Sequence, residues 1–151
     1  EVIAWTTLVF GILLYIADNI KIKKSFEKDL NIKNILIIGL FQILSLVPGV
    51  SRSGIVITAG RFLNFNRYDS TKISFYLSIP ALAGASFLGL KDIIKKSFEF
   101  NSLILFCTIC SFIFSYITIK YFLIFMKKFS LKSFVYYRIF LAGILFVIIY
   151  S

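Results

Sequence analysis

Residues 35–65, ILIIGLFQILSLVPGVSRSGIVITAGRFLNF, form two apolar halves separated by a polar break. The halves, Ile35 to Val47 and Ile55 to Phe65, are each too short to cross a bilayer, because a spanning helix needs about 20 mostly apolar residues. This length favours a re-entrant hairpin of two half-helices with the break at membrane depth. Irregular backbone is tolerated at that depth only where protein or a watery cavity surrounds it. The pattern therefore predicts a hairpin whose break lines a site.

The composition of the whole chain is that of a membrane protein. Of its 151 residues, 59% are hydrophobic and 16% are charged, and the mean hydropathy is +0.91. Soluble domains average about 45–50% apolar and about 25% charged residues. The net charge of +10 does not indicate a nucleic-acid partner, because the basic residues lie between apolar runs without interleaved aromatic side chains. We expect a single bundle with at most about five spans.

The apolar runs predict an all-α polytopic membrane helix bundle. Besides the re-entrant hairpin at 35–65, they place a charged loop at 18–34 and spans at 2–17, 73–90, 103–126 and 134–150. If the hairpin returns to its own side, the loops at 18–34, 61–72 and 127–132 share one face, which then holds most of the Lys and Arg residues. The positive-inside rule makes that face cytoplasmic.

The ionisable residues exclude several chemistries. The chain has no histidine, so it cannot by itself supply a Ser-His-Asp or Cys-His centre or an imidazole metal ligand. A buried carboxylate pair is not expected either, because all seven acids lie at the ends of apolar runs or between them. They are Glu1, Asp18, Glu27, Asp29, Asp69, Asp92 and Glu99. No metal ligand is assigned from the sequence.

The break in the hairpin has the features of a phosphate-sized anion site. We interpret Arg52 as the one basic residue in the middle of a long apolar stretch, where insertion costs about 2.5–3.5 kcal/mol. Ser51 and Ser53 are good N-cap residues for the second half-helix. The N–H groups of Ser53, Gly54 and Ile55 are then expected to point into the break, where a helix N-terminus attracts anions. The arginine adds a planar fork that grips phosphate oxygens.

The alternative interpretation of this break is purely structural. Arg52 would then snorkel or donate to a carbonyl, and the two serines would only cap the helix. Intramembrane ionisable groups are functional by default, which favours the anion site.

Three segments of the chain together resemble a known family. The run 46–54, LVPGVSRSG, resembles the second signature, P-G-x-S-R-S-G, of the bacterial undecaprenyl-diphosphate phosphatases of the bacitracin-resistance type. The run 74–81, SFYLSIPA, is similar to the family's S-F-L-L-S-I-P segment, and residues 119–122 and 137–139 are similar to its final helices. The resemblance covers nearly the whole chain.

The resemblance implies an enzyme of the bacterial inner membrane that is built from two inverted repeats, each with a re-entrant hairpin. It implies hydrolysis of undecaprenyl diphosphate to undecaprenyl phosphate and phosphate, which recycles the lipid carrier of peptidoglycan synthesis. The chain resembles only the C-terminal half. The Glu-rich and Ser/His segments of the N-terminal repeat, which are implied to ligate a divalent cation (Mg or Ca) and to supply the base or nucleophile, have no counterpart here. That missing repeat, or a second copy in a homodimer, is the implied partner.

The resemblance also implies roles for individual residues. Arg52 and Ser51 match the catalytic positions, and the diphosphate-binding residues are Gly49, Ser53, Gly54 and, more weakly, Thr58. Family members often carry Thr at the position of Val56, and Thr58 is the candidate that could take its place here, with helix packing as the alternative role.

Two other functions compete with a phosphatase. Paired half-helices with an anion site at the midplane also occur in transporters, so a lipid flippase or anion transporter is the second hypothesis. The third is a fragment without activity of its own.

Overall fold

The computed structural model describes residues 1–95 and 102–150, with side chains at 1–90 and 102–150. The helices are α1 (Val2–Asp18), α2 (Phe26–Asp29), α3 (Ile32–Ile43), α4 (Arg52–Phe62), α5 (Arg67–Lys95), α6 (Ser102–Lys128) and α7 (Lys132–Tyr150). A 3-10 turn, Leu44–Leu46, follows α3. The described residues form no strand. The predicted all-α helix bundle is confirmed.

Three helices are long and apolar enough to cross a membrane. They are the segments Arg67–Leu90, Ser102–Lys128 and Lys132–Tyr150. The most apolar 18-residue window of α6 has 0% of its residues buried, so this helix presents apolar side chains on all sides. The prediction of a membrane protein is confirmed. With 17 residues, α1 is shorter than these helices, and the number of crossings and the re-entrance of the hairpin stay predictions.

Two helices begin earlier than the apolar runs indicate. Helix α3 starts within the predicted loop 18–34, because the Asn31 side chain caps it by accepting from the Asn34 N–H at 2.9 Å. Helix α5 starts at Arg67 instead of 73, because Asn66 and Asp69 form a reciprocal cap. The Asp69 N–H donates to Asn66 Oδ1 at 2.7 Å, and Asn66 Nδ2 donates to Asp69 Oδ2 at 2.8 Å. Hydropathy places both helix starts too late because the capping residues are polar.

A buried polar network joins the ends of α1 and α4, the start of α5 and the loop between α6 and α7 at one end of the bundle. Arg67 Nε and Nη2 donate to the two carboxylate oxygens of Asp18, at 2.6 and 3.1 Å, and the Leu131 N–H donates to Asp18 Oδ2 at 3.2 Å. Arg61 is 2% exposed, and its guanidinium donates to the backbone oxygens of Asp18 and Phe65 at 3.0 and 2.6 Å. We call this end, where α1, α4 and α6 finish and α5 and α7 begin, the basic end.

The segments before α3 and after α4 both lie at the basic end. The Lys24 N–H donates to the Asn64 oxygen at 3.2 Å, and the Phe26 N–H donates to Asp69 Oδ2 at 2.9 Å. Helices α3 and α4 pack against each other between these contacts, with Ile38 and Val56 in a shared apolar core. The break between the two helices is therefore held away from the basic end.

Helix α4 has neighbours on two sides. A second apolar core, which includes Leu14, Ile57 and Val135, joins α4 to α1 and α7. On another side α4 packs closely on α5, since a Cβ added at Gly60 would lie 2.7 Å from Ser70 Oγ. Such a contact excludes any larger side chain at Gly60 without a shift of the helices.

Candidate anion-binding site at the start of helix α4

The first turn of α4 is capped by Ser51. Its Oγ accepts from the Gly54 N–H at 3.2 Å, and its backbone oxygen accepts from the Ile55 N–H at 2.9 Å. The expectation that the Gly54 and Ile55 N–H groups are free was therefore wrong, because the cap and the first helical bond use them. Within the described chain, the N–H groups of Arg52 and Ser53 remain for a ligand at this helix start.

Helix α1 holds the turn that precedes this helix start. Gly49 has a φ of +89°, in the left-handed region that favours glycine. Thr6 Oγ1 donates to the Pro48 oxygen at 2.6 Å, and Thr7 Oγ1 approaches the Gly49 oxygen at 3.5 Å. Gly49 thus shapes the backbone and lies against α1, and it presents no side chain to a substrate.

We expect Gly49→Ala to lower the free energy of unfolding by about 2 kcal/mol, since a left-handed non-glycine residue costs of order 1–3 kcal/mol. The added Cβ would also collide with Thr6 Oγ1 and lie 2.9 Å from the Ile3 oxygen. Thermal unfolding in detergent measures the loss. Gly143→Ala is the matched control, because a Cβ there meets nothing within 4 Å and alanine favours the helix. Equal unfolding temperatures for the two variants would contradict the prediction.

Arg52 is exposed and lines a cavity of about 500 Å³ between α3, α4 and α5, which we call the Arg52 cavity. Gln42 and Ser45 supply its other polar side chains, and Leu77 and Ala81 of α5 form part of its apolar wall. A guanidinium beside an amide and a hydroxyl is suited to an anionic group with attached apolar chain.

The serines and glycine of the predicted site line a different cavity. This Arg138 cavity has a volume of about 330 Å³ and lies between α1, α4, α6 and α7. Ser51, Ser53 and Gly54 form one wall of it, and Arg138 of α7 forms another. Ser51 Oγ and Ser53 Oγ are 3.3 Å apart. The structure thus places Arg52 on one side of the helix start and the predicted Ser and Gly residues on the other.

The sequence interpretation did not assign Arg138 to the site. A Cβ at Gly54 would lie 3.9 Å from Arg138 Cζ, so the guanidinium reaches the start of α4. A Cβ at Gly11 would lie 3.3 Å from Arg138 Cβ, so the small residue on α1 makes room for the arginine. Arg52 is therefore not the only cation near the start of α4 in the described chain. The signal that could have found Arg138 is its position inside the apolar run 134–150.

Thr58 stands apart from the other predicted site residues. It is 2% exposed, and its Oγ1 donates to the Gly54 oxygen at 2.7 Å. Threonines that bond the backbone one turn earlier are common inside helices. Thr58 lines neither of the two cavities, so its contacts are those of a helix-packing residue.

The residues around the helix start do not suit a divalent cation. Mg²⁺ and Ca²⁺ take oxygen ligands, chiefly carboxylates. The described lining of both cavities contains no Asp or Glu, and no group of three or more His, Cys, Asp or Glu residues in the described chain could hold a metal ion.

The fold and this site define a helical membrane protein with cavities lined by arginine and serine on two sides of one helix start. Comparison with known proteins extends that description. Residues 1–144 match the family model of the bacitracin resistance protein BacA. The chain belongs to this family.

Curated relatives agree with the family match. The chain is 60% identical over its whole length to the undecaprenyl-diphosphatase of Pelagibacter ubique, and covers 59% of that protein. It is 44% identical over 97% of its length to the undecaprenyl-diphosphatase of Elusimicrobium minutum, and covers 55% of it. The corresponding protein of Erythrobacter litoralis is 39% identical over 92% of the chain, which covers 49% of it. The chain thus spans about half the length of these relatives.

Proposed function

We propose that the chain acts in the hydrolysis of undecaprenyl diphosphate to undecaprenyl phosphate and phosphate. The observation that carries this proposal is the start of α4, where Arg52 lines a cavity on one side and two serine hydroxyls and Arg138 line a cavity on the other. The names of the relatives, undecaprenyl-diphosphatase, supply the substrate and the reaction.

The distance between the start of α4 and the basic end supports a membrane-embedded substrate. Helix α4 has 11 residues between Arg52 and the basic end, and a rise of 1.5 Å per residue makes it about 16 Å long. The hydrocarbon core of a bilayer is about 30 Å thick. With the basic end at one membrane surface, the helix start lies near mid-depth, which is consistent with a re-entrant hairpin and lets a polyprenyl chain remain in lipid.

Each residue has a chemical task in this proposal. Cleavage of a phosphoanhydride depends mainly on positioning and on stabilisation of the charge on the transferred phosphoryl group. Arg52 and Arg138 approach the diphosphate from different sides and neutralise it, while Ser51 and Ser53 donate hydroxyl hydrogen bonds. The described site offers no general base. We therefore assign the base or nucleophile, and the ligands of a Mg or Ca ion, to an N-terminal repeat in the complete protein, with a homodimer as the alternative.

The proposed location is the bacterial inner membrane, with several crossings and the basic end in the cytoplasm. The basic residues at that end include the lysines of the loop at 18–34 and Arg67, Lys127, Lys128 and Lys132. The variants Lys28→Cys and Ser102→Cys, labelled separately with a membrane-impermeant thiol reagent in intact cells, test this orientation. With the basic end in the cytoplasm, the cysteine at 102 should be labelled and the cysteine at 28 should not.

A reconstitution assay tests the function itself. The complete gene product and the 151-residue chain are each given pure undecaprenyl diphosphate in detergent, and released phosphate is measured. We expect release by the complete protein. A flippase or transporter would release none, which would overturn the proposal, and activity of the complete protein but not of the 151-residue chain would place the base in the N-terminal repeat.

We expect Arg138→Gln to lower kcat/KM for phosphate release by about 10- to 100-fold. This is the effect of losing one charge-assisted hydrogen bond, worth about 1.5–3 kcal/mol. Lys132→Gln is the matched control, because it also replaces a cation of α7 by glutamine, at an exposed position of the basic end. Equal rates for the two variants would remove Arg138 from the proposed site.

A further inference from the structure

A third cavity lies at the basic end, far from the start of α4. It has a volume of about 320 Å³ and is lined by Ile22, Asn66, Arg67, Tyr68, Met126 and Lys127. Its walls come from the loop after α1, the first turn of α5 and the last turn of α6. Because two of these helices are membrane-spanning by length and composition, the cavity lies where the bundle emerges from the hydrocarbon core. We call it the interfacial cavity.

The interfacial cavity has a cationic rim. Lys127 Nζ lies 4.5 Å from the centroid of the Tyr68 ring, a cation–π contact that places the ammonium at the cavity wall. Arg67 is held in place by its two hydrogen bonds to Asp18. Arg61 lies behind them, bonded to the backbone oxygen of Asp18. Three cations thus stand beside two carboxylates, that of Asp18 and that of Asp69, which accepts from Asn66 Nδ2 at 2.8 Å. The groups around the cavity therefore carry a net positive charge.

The remaining wall of the interfacial cavity is apolar. Met126 is 2% exposed and belongs to the apolar core, and Ile22 is 60% exposed beside it. A cationic rim next to an apolar wall matches a molecule that carries an anionic group on a hydrocarbon body. Basic pockets between membrane helices on the cytoplasmic side bind anionic lipid headgroups for this reason.

We propose that the interfacial cavity binds the headgroup of an anionic phospholipid. Lys127 contacts the phosphodiester, Arg67 lies beside it, and Ile22 and Met126 contact the glycerol and the first acyl carbons. The site is separate from the start of α4, so it stands whether or not the proposed phosphatase function is correct.

Native mass spectrometry of the full chain with added phosphatidylglycerol or phosphatidylcholine tests this site. We expect phosphatidylglycerol to be retained in preference to phosphatidylcholine, and Lys127→Ala to weaken its binding about fivefold, since each Lys near an anionic surface contributes about 1 kcal/mol. Lys128→Ala is the matched control. It removes the same charge from the adjacent exposed residue, which does not line the cavity, and it should change binding less than twofold.

Further variants and competing phosphates distinguish a bound lipid headgroup from a free phosphate or a diffuse surface charge. Lys127→Arg should retain binding, and this variant keeps the test decisive where Lys127→Ala unfolds. Equal losses for Lys127→Ala and Lys128→Ala would show only a diffuse surface charge and would overturn the proposal. Retention of phosphatidylcholine equal to that of phosphatidylglycerol would also overturn it. Displacement of the bound phosphatidylglycerol by glycerol phosphate or inorganic phosphate at matched concentration would do the same.

Discussion

Replacement of Arg52 by alanine is expected to lower phosphate release from undecaprenyl diphosphate about 10³-fold in the complete protein. An arginine that stabilises the transition state of phosphoryl transfer contributes about 10³–10⁵ in rate. Arg52 is the first residue of α4 after the Ser51 cap, and its own N–H and that of Ser53 remain for a ligand. Its loss leaves the developing charge of the transferred phosphoryl group without this cation. Initial rates of phosphate release measure the effect.

Two further variants separate the chemistry of Arg52 from its charge and from folding. Arg52→Lys keeps a positive charge but loses the planar fork, so we expect partial activity. Lys33→Ala removes a charge from an exposed position on the same hairpin and should leave the rate unchanged. Because Arg52 is exposed, its alanine variant should unfold at the normal temperature. Near-normal turnover of Arg52→Ala would contradict the assignment of this residue to the site.

Replacement of Asp18 by alanine is expected to lower the free energy of unfolding by about 3 kcal/mol. The Asp18 side chain is 1% exposed and accepts two hydrogen bonds from Arg67, and Leu131 contributes a third from the loop between α6 and α7. Removal of one partner of a buried ion pair costs about 3–5 kcal/mol, because the other charge stays buried without compensation. Arg67 is 35% exposed, so water reduces this cost. Thermal or denaturant unfolding in detergent measures it.

A double-mutant cycle isolates the pair from other effects of the substitution. Asp18→Ala, Arg67→Ala and the double variant should give a coupling free energy well above zero, since the two side chains are in direct contact. Glu27→Ala, an exposed acid at the same end of the bundle, should change stability by less than about 0.5 kcal/mol. Strictly additive effects of the two single substitutions would show that the Asp18–Arg67 contact does not hold the helix termini together.

The two predictions concern opposite ends of one helix. At its first turn α4 presents Arg52 and the Ser51 cap, and at its last turn Arg61 is fixed by backbone oxygens from two other segments. A phosphate-binding group is effective only when its position is fixed before the substrate arrives. The buried network at the basic end therefore fixes α4 in the bundle and with it the candidate site. Leu131 belongs both to this network and to the lining of the Arg138 cavity.

Much of the site was predictable from local sequence. The order Pro48-Gly49 and then Ser51 predicts a helix end, a turn and an N-cap, and the structure has the cap at Ser51. The same pattern did not predict which polar groups are already hydrogen-bonded within the chain. The Gly54 N–H is already occupied by the cap, and Thr58 bonds its own helix. Hydropathy also placed the starts of α3 and α5 too late, because it does not register polar capping residues.

The sequence alone was sufficient for the membrane class, the all-α fold and the break between α3 and α4, because each depends on composition or on neighbours within a few residues. The tertiary structure was required to bring Arg138 to Gly54, to divide the predicted site between two cavities and to pair Asp18 with Arg67. These contacts join residues that are far apart in the chain. Helix packing decides them, and no local periodicity encodes which faces of two helices meet.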